Sequence, residues 1–298
     1  MAISFLHDSL IHTARAVDIV DLVNVDTYPI HHPTDDRLRA VIDRARVQLV
    51  STGCLHLPGF VRPSMLQRLT AETDRLASES YTTVRQVTPY GDDGSGHDDV
   101  PEDHPRRWAG TWSNGFVGKD RIPVDSVIRT LYDEDNFRTF IAGCLGLDEL
   151  HQFFDPIRGL VVNVMGDDST QAWHYDANEF VVSLMTRRSE AGGAFEYCPN
   201  LREVGDEHYE DVARVLGGDR SCVRVLDLEV GDLQLFRGRY SLHRVAPTVG
   251  ERHTVLFGFS ETPGYIANVK TTLLGYGRVT RAHIDADPTA TSIDGLAG

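Results

Sequence analysis

The stretch that decides the fold is Gln171-Ala172-Trp173-His174-Tyr175-Asp176-Ala177-Asn178-Glu179-Phe180, taken together with Leu242-His243-Arg244. Along a β-strand, residues two apart project from the same face. His174 and Asp176 therefore reach one point in space, and Tyr175 turns away from it. His243 follows Asp176 by 67 positions (243 − 176) and must arrive on another strand. The turn Gly231-Asp232 and the alternating Leu233-Gln234-Leu235-Phe236 just ahead of it predict such a strand. Two imidazoles and one carboxylate make a donor set for a metal ion with three coordination positions left open. A His-x-Asp pair alone, in a chain with 13 histidines, is more often surface polarity. The weight rests on the three residues in combination and on a basic residue beyond them. Arg252 stands nine positions after His243, with His253 and Thr254 next to it in another strand-like run. A guanidinium there suits bidentate pairing with a carboxylate, and the hydroxyl of Thr254 stands beside it.

The order His174-x-Asp176, His243, Arg252-x-Thr254 resembles the Fe(II)/2-oxoglutarate-dependent oxygenases of the double-stranded β-helix (jelly-roll, cupin-like) fold, whose iron sits on a two-histidine, one-carboxylate facial triad. Three longer motifs are similar to the bacterial free-amino-acid hydroxylase and halogenase group. They are Trp173-His174-Tyr175-Asp176-x-Asn178-x-Phe180, Gly192-Gly193-x-Phe195-Glu196-Tyr197-x-Pro199, and Gly231-Asp232-Leu233-x-Leu235-Phe236-x-Gly238-x-x-Ser241-x-His243-Arg244-Val245. The likeness runs from Leu38 to Pro263.

The resemblance implies Fe(II) on His174, Asp176 and His243. It implies 2-oxoglutarate as cosubstrate, its far carboxylate on Arg252 with Thr254 as a second donor, and O2 as the oxidant. Asn163, a polar residue in an apolar strand, is either a satisfied core amide or a donor in that same pocket. The expected reaction is hydroxylation of an unactivated C–H bond in a small polar substrate, a free amino acid or a derivative, with release of succinate and CO2. Halogenases of the group carry Gly or Ala where Asp176 stands, so the carboxylate favours hydroxylation over halogenation. Desaturation or cyclisation at the same site is the alternative within the class. A non-oxygenase, cupin-like metal-binding protein is the alternative outside it, and a jelly roll with incidental histidines is a third. For the substrate, a zwitterion needs both signs of charge close to the metal. Glu179 after the ligands and Arg106 and Arg107 in the preceding loop are the candidates, with Trp173 as core or pocket wall.

The bulk composition limits the partners. At 298 residues with a net charge of −15, the chain lacks the basic face that nucleic acid or an anionic membrane requires. A small-molecule substrate is expected, and a homodimer is left open. No run of about 18 apolar residues occurs, as a spanning helix would need. Met1 to Asp8 lacks the basic start and apolar core of a signal peptide, which predicts a cytoplasmic protein. Cys54, Cys144, Cys198 and Cys222 are scattered without a Cys-x-x-Cys motif, and in that compartment they are expected reduced.

In chain order, the expectation is a single domain over 1–298. An irregular N-terminal extension includes Leu10 and Ile11, with a short strand at Ile19 to Val23. Residues 1–150 are mostly helical. One helix starts at Asp36 with Leu38, Val41, Ile42, Ala45 and Leu49 on its apolar side, capped by Asp35 or Asp36 and ended by Gly53. A second starts at Pro63, and a third covers Val124 to Leu147. The Gly- and Asp-rich segment within 88–120 reads as a mobile loop and lacks the spacing of an EF-hand. Residues 151–263 read as the jelly-roll core, interrupted by an exposed helix or insertion at 203–219. Residues 273–298 read as a loose tail. The class is mainly β with flanking helices (α+β).

Overall fold

The computed structural model describes residues 17–287. Leu10, Ile11 and the last part of the expected tail lie outside the described residues. The first described element is α1 (Ile19–Leu22), where the sequence pointed to a strand. The Asp18 carboxylate accepts a hydrogen bond from the Val20 amide and starts a helical turn. Val23 bridges to Val61, so the β-branched run is spent on a single contact.

Helix α2 (Asp36–Thr52) matches the expectation closely. Asp35 caps it through the Arg37 amide at 2.8 Å, and Gly53 ends it with φ +66°. Strand β1 (Cys54–Leu57) leads to α3 (Pro63–Ala77), whose proline occupies the first turn, where a missing N–H does no harm. The expected third helix is two: α4 (Val127–Asp133) and α5 (Asp135–Leu145). The break is at Glu134, whose carboxylate caps the Asn136 amide. The buried Glu72 of α3 accepts from the Val127 and Ile128 amides at 2.8 and 3.2 Å, fastening α3 to the start of α4.

Between α3 and α4 lie β2 (Tyr81–Val87) and β3 (Gly110–Gly118). The loop read over 88–120 thus extends only to 109. Its last part is a strand whose Gly110, Ser113, Asn114 and Gly115 hide the alternation of Trp112, Asn114 and Phe116. Pairing to β2 on one side and to the later β5 on the other overrides the low strand propensity.

The remaining strands are β4 (His151–Gln152), β5 (Leu160–Met165), β6 (Gln171–His174), β7 (Val181–Arg187), β8 (Ala191–Gly192) and β9 (Phe195–Cys198). After α6 (Tyr209–Leu216) come β10 (Arg224–Leu226), β11 (Leu233–Phe236), β12 (Leu242–Val245), β13 (Thr248–Val249), β14 (Arg252–Phe257) and β15 (Phe259–Ser260). A seven-stranded sheet runs β1-β11-β7-β14-β5-β3-β2 and a four-stranded sheet runs β10-β9-β12-β6. Every pairing in these two sheets is antiparallel.

The two faces of the large sheet differ. Val117, Val162, Val255, Leu184, Leu233 and Leu235 join Leu38, Leu69, Leu131 and Phe137 in one apolar core beneath α2 to α5. From the opposite face, Cys54, Met165 and Phe236 meet Phe195, Tyr197 and Val245 of the small sheet. The site lies on this second face.

Past Leu273 the sequence suggested a loose tail, but the described part holds α7 (Val269–Tyr276) and α8 (Arg281–Ala286). His283, fully buried, sits 3.2 Å from both oxygens of the equally buried Asp155. The Asp155 carboxylate also accepts from the amides of Ile157, Arg158 and Ala267. A tail held by partners over a hundred residues away has no local pattern to read.

Candidate metal centre

His174 ends β6 and His243 lies on β12, directly opposite it in the ladder. Their rings are 4.0 Å apart between centroids. Asp176 lies just past the end of β6, and its amide donates to the Gly238 carbonyl at 3.1 Å. Its two oxygens stand 3.7 Å from Nε2 of His174 and 3.5 Å from Nε2 of His243. Nδ1 of His174 is 2.8 Å from the Ala172 carbonyl, and Nδ1 of His243 is 3.0 Å from the Ser241 carbonyl. A carbonyl only accepts, so each Nδ1 carries the proton and each Nε2 lone pair is free and aimed at the common point.

Burial, and secondarily the neighbouring His243, lowers the His174 pKa to about 3, which keeps it a neutral donor. Burial pushes the Asp176 carboxyl up, but the two imidazoles pull harder and the net shift is downward. Two imidazoles and one carboxylate thus converge as a donor set suited to a first-row divalent ion.

Gly238 makes room for the carboxylate. A Cβ there would lie 1.7 Å from Oδ2 of Asp176, so no side chain is tolerated without moving the ligand. Aromatic rings enclose the imidazoles: Trp112 meets His174 at 4.4 Å, and Phe236 and Phe195 meet His243 at 4.8 and 5.6 Å.

Arg252 opens β14 opposite Met165, on the face that looks toward the small sheet. It is 4% exposed, and among the described residues it has neither an ion pair nor a side-chain hydrogen bond. Burial alone lowers its pKa to about 10. Its guanidinium lines a cavity of about 160 Å³ with Met185, Gly193 and Phe195. A buried, unpaired cation is costly unless an anion joins it.

Beside Arg252 runs a polar ladder across three strands. Trp112 Nε1 donates to Asn114 at 2.6 Å, Asn114 donates to Asn163 at 2.6 Å, and Asn163 donates to Thr254 Oγ1 at 3.4 Å. Asn163 is thus both a satisfied amide and a neighbour of the Arg252 site. Thr254 accepts from it and keeps its own O–H free to donate.

Four residues taken from the sequence as substrate candidates are not brought to the triad. Trp173 points behind β6, under the guanidinium groups of Arg244 and Arg220 at 4.9 and 5.7 Å. Arg106 pairs with His97 and Asp99, and Arg107 with Asp98 and the Val100 carbonyl. Glu179 pairs with Arg239 at 3.2 Å and lines a different cavity with Arg46 and Arg237.

Sequence reading missed Arg85 and Trp112. The Arg85 guanidinium lies 5.4 Å over the Trp112 ring, its Nε is buried without a partner, and its charge is felt at His174. The alternation Trp112-x-Asn114-x-Phe116 was the available signal.

The fold and the two-histidine, one-carboxylate cluster together define a class of protein. The crystal structure of the non-heme alpha ketoglutarate dependent epimerase SnoN from nogalamycin biosynthesis superposes with a TM-score of 0.50, at 15% identity over 74% of this chain and 83% of that one. A 2OG-Fe(II) oxygenase family oxidoreductase from Burkholderia pseudomallei is similar at 18% identity over 75% and 92% of the two chains, TM-score 0.48. HygX from Streptomyces hygroscopicus, crystallised with nickel, 2-oxoglutarate and hygromycin B, gives 15% over 74% and 88%, TM-score 0.45. A comparison with curated proteins gives no match. The family model Halogenase D (HalD) matches residues 110–269, more than half of the chain. The chain belongs to that family.

Proposed function

We propose that this protein is an Fe(II)/2-oxoglutarate-dependent dioxygenase that hydroxylates an unactivated C–H bond of a free amino acid or close derivative. One observation carries the reading: His174, Asp176 and His243 converge on one point, and Phe195, whose ring meets His243, also lines the cavity of Arg252, a buried guanidinium with no ion pair among the described residues. We read the two packed sheets as a double-stranded β-helix. We also read 1–298 as one domain, since the main core joins Ile19 to Phe259. A cytoplasmic enzyme with a small-molecule substrate fits the charge and the lack of any described helix able to cross a membrane.

His174 and His243 hold the iron through Nε2, and Asp176 holds it through its carboxylate. When bound, iron and 2-oxoglutarate together supply the oxidising power, with O2 consumed and succinate and CO2 released. Arg252 pairs with the far carboxylate of the cosubstrate, and the free Thr254 hydroxyl donates to it. Asn163 and Asn114 hold that threonine in place. Trp112, Phe195 and Phe236 wall the imidazoles and exclude water, which strengthens each charge contact inside. Arg85, resting on Trp112 on the His174 side, offers the second unpaired cation and takes the substrate carboxylate. This gives the two anions separate cations, so each is oriented by its own pair.

The family takes its name from halogenases, but this chain puts a carboxylate where halide binding needs a vacancy. Gly238 leaves space for that carboxylate and the paired imidazoles favour its charged form, which supports hydroxylation. The test is to incubate the enzyme with Fe(II), 2-oxoglutarate, chloride and separate panels of amino acids, nucleosides and carrier-bound acyl groups. Succinate with a one-oxygen mass gain in the amino-acid panel is expected. A chlorinated product would overturn hydroxylation, a two-hydrogen loss would favour desaturation, and turnover confined to another panel would overturn the substrate class.

A further inference from the structure

Outside the metal centre, two thiols from separate segments meet. Sγ of Cys198, at the end of β9, lies 2.9 Å from Sγ of Cys222, which follows α6. That is within about 1 Å of the disulfide bond length of about 2.05 Å. Cys198 is fully buried, and Cys222 is half-buried. The other two cysteines are free and buried: Cys54 takes a contact from Gln234, and Cys144 lies in the main core.

The excursion between the two thiols carries α6, whose Val212 and Val215 pack on Trp173, Tyr175 and Leu242. Each of those three residues is next in sequence to a proposed metal ligand. Tyr209 at the start of α6 touches Tyr90 and His104, at 5.9 and 4.4 Å between ring centroids, and so holds the 88–109 segment. That segment reaches the metal strand directly, since the Tyr175 amide donates to the Pro89 carbonyl at 2.9 Å.

We propose that Cys198 and Cys222 are a reversible modification site, closed to a disulfide by small hydroperoxides, and that the bond fastens the α6 excursion over the back of the metal strands. The partly exposed Cys222 reacts first. Its sulfur attacks the peroxide, the O–O bond breaks, and sulfenic acid and water result for hydrogen peroxide. The Cys198 sulfur then attacks that sulfenic sulfur and the S–O bond breaks, releasing a second water. Overall, two thiols and one hydrogen peroxide give one disulfide and two waters. A dithiol reductant reverses it by exchange.

The experiment exposes the full chain to a small excess of hydrogen peroxide, alkylates without reduction, and maps the peptides by mass spectrometry. The expected result is a single Cys198–Cys222 cross-linked peptide within one chain, with titratable thiols falling from four to two and recovering with dithiothreitol. Limited proteolysis within 203–219 slows in the oxidised chain by several-fold and returns on reduction. C222S abolishes the cross-link while C144S leaves it. Over-oxidation of Cys222 with Cys198 still free, or a link to another cysteine or another chain, would overturn the pairing. Unchanged proteolysis in a cross-linked chain would overturn the fastening of α6.

Discussion

Replacing Arg252 by Met sets two opposed effects against each other. The side chain is buried without a partner, and burial takes its pKa from 12.5 to about 10. At about 1.4 kcal/mol per unit, holding that charge inside costs on the order of 3 kcal/mol. At neutral pH the arginine is protonated both folded and unfolded, so the cost is constant there. It is relieved only as the pH rises through the folded pKa near 10. A methionine of similar length removes the cost, so without cosubstrate R252M should melt no lower than the parent, and up to a few kcal/mol more stable.

Cosubstrate binding should move the other way. Losing the partner of a buried carboxylate costs about 2–5 kcal/mol, which is roughly a thirtyfold to several-thousandfold rise in the 2-oxoglutarate Kd. The assay is thermal melting of metal-loaded protein over a 2-oxoglutarate titration, since a ligand that binds only the folded state raises Tm with its concentration. The parent should climb and R252M should stay flat, with metal content the same. A variant that loses several kcal/mol without ligand would show that Arg252 has a structural partner. One that still responds to 2-oxoglutarate like the parent would show that the clamp is elsewhere.

His174→Ala or His243→Ala should abolish iron binding by equilibrium dialysis together with all succinate formation. Gly238→Ala, which drives a methyl into Asp176, should weaken iron binding at least tenfold with little loss of helix content by circular dichroism, unlike an ordinary surface Gly→Ala change. Asn114→Leu breaks the ladder to Asn163 and should raise the KM for 2-oxoglutarate while iron content holds. Arg85→Gln should raise the amino-acid KM at least tenfold and leave the 2-oxoglutarate Kd unchanged; the reverse pattern would exchange the roles assigned to Arg85 and Arg252. His283→Ala leaves Asp155 buried with one partner fewer and should lower stability by about 1–3 kcal/mol by chemical denaturation.

What was legible in the sequence is what depends on local pattern. Helix α2 carries its cap, its apolar spacing and its terminating glycine within twenty residues, and His174, Asp176 and His243 sit on segments with strand and turn signatures. What was missed depends on distant partners. Strand β3 is polar and glycine-rich, and only its pairing on both edges makes it a strand. Of the tail helices, α8 is secured to Asp155 through His283, and the brief Ile19 helix is started by a one-residue cap. The same limit misdirected the substrate residues. Glu179 stands three positions after Asp176, and Arg106 and Arg107 lie in the loop ahead of β3, yet each is paired elsewhere. Arg85 is 89 positions before His174 and still looks onto it through Trp112.

The central claim is that iron, 2-oxoglutarate and O2 chemistry takes place on His174, Asp176 and His243. The direct measurement is O2 uptake by Fe(II)-loaded protein with an amino-acid panel, followed alongside succinate and total bound iron. One iron per chain and one succinate per O2, both dependent on 2-oxoglutarate and lost in H174A, is the predicted result. Iron-loaded protein that takes up no O2 and forms no succinate with any member of the panel, or that does so equally well as H174A, would contradict it.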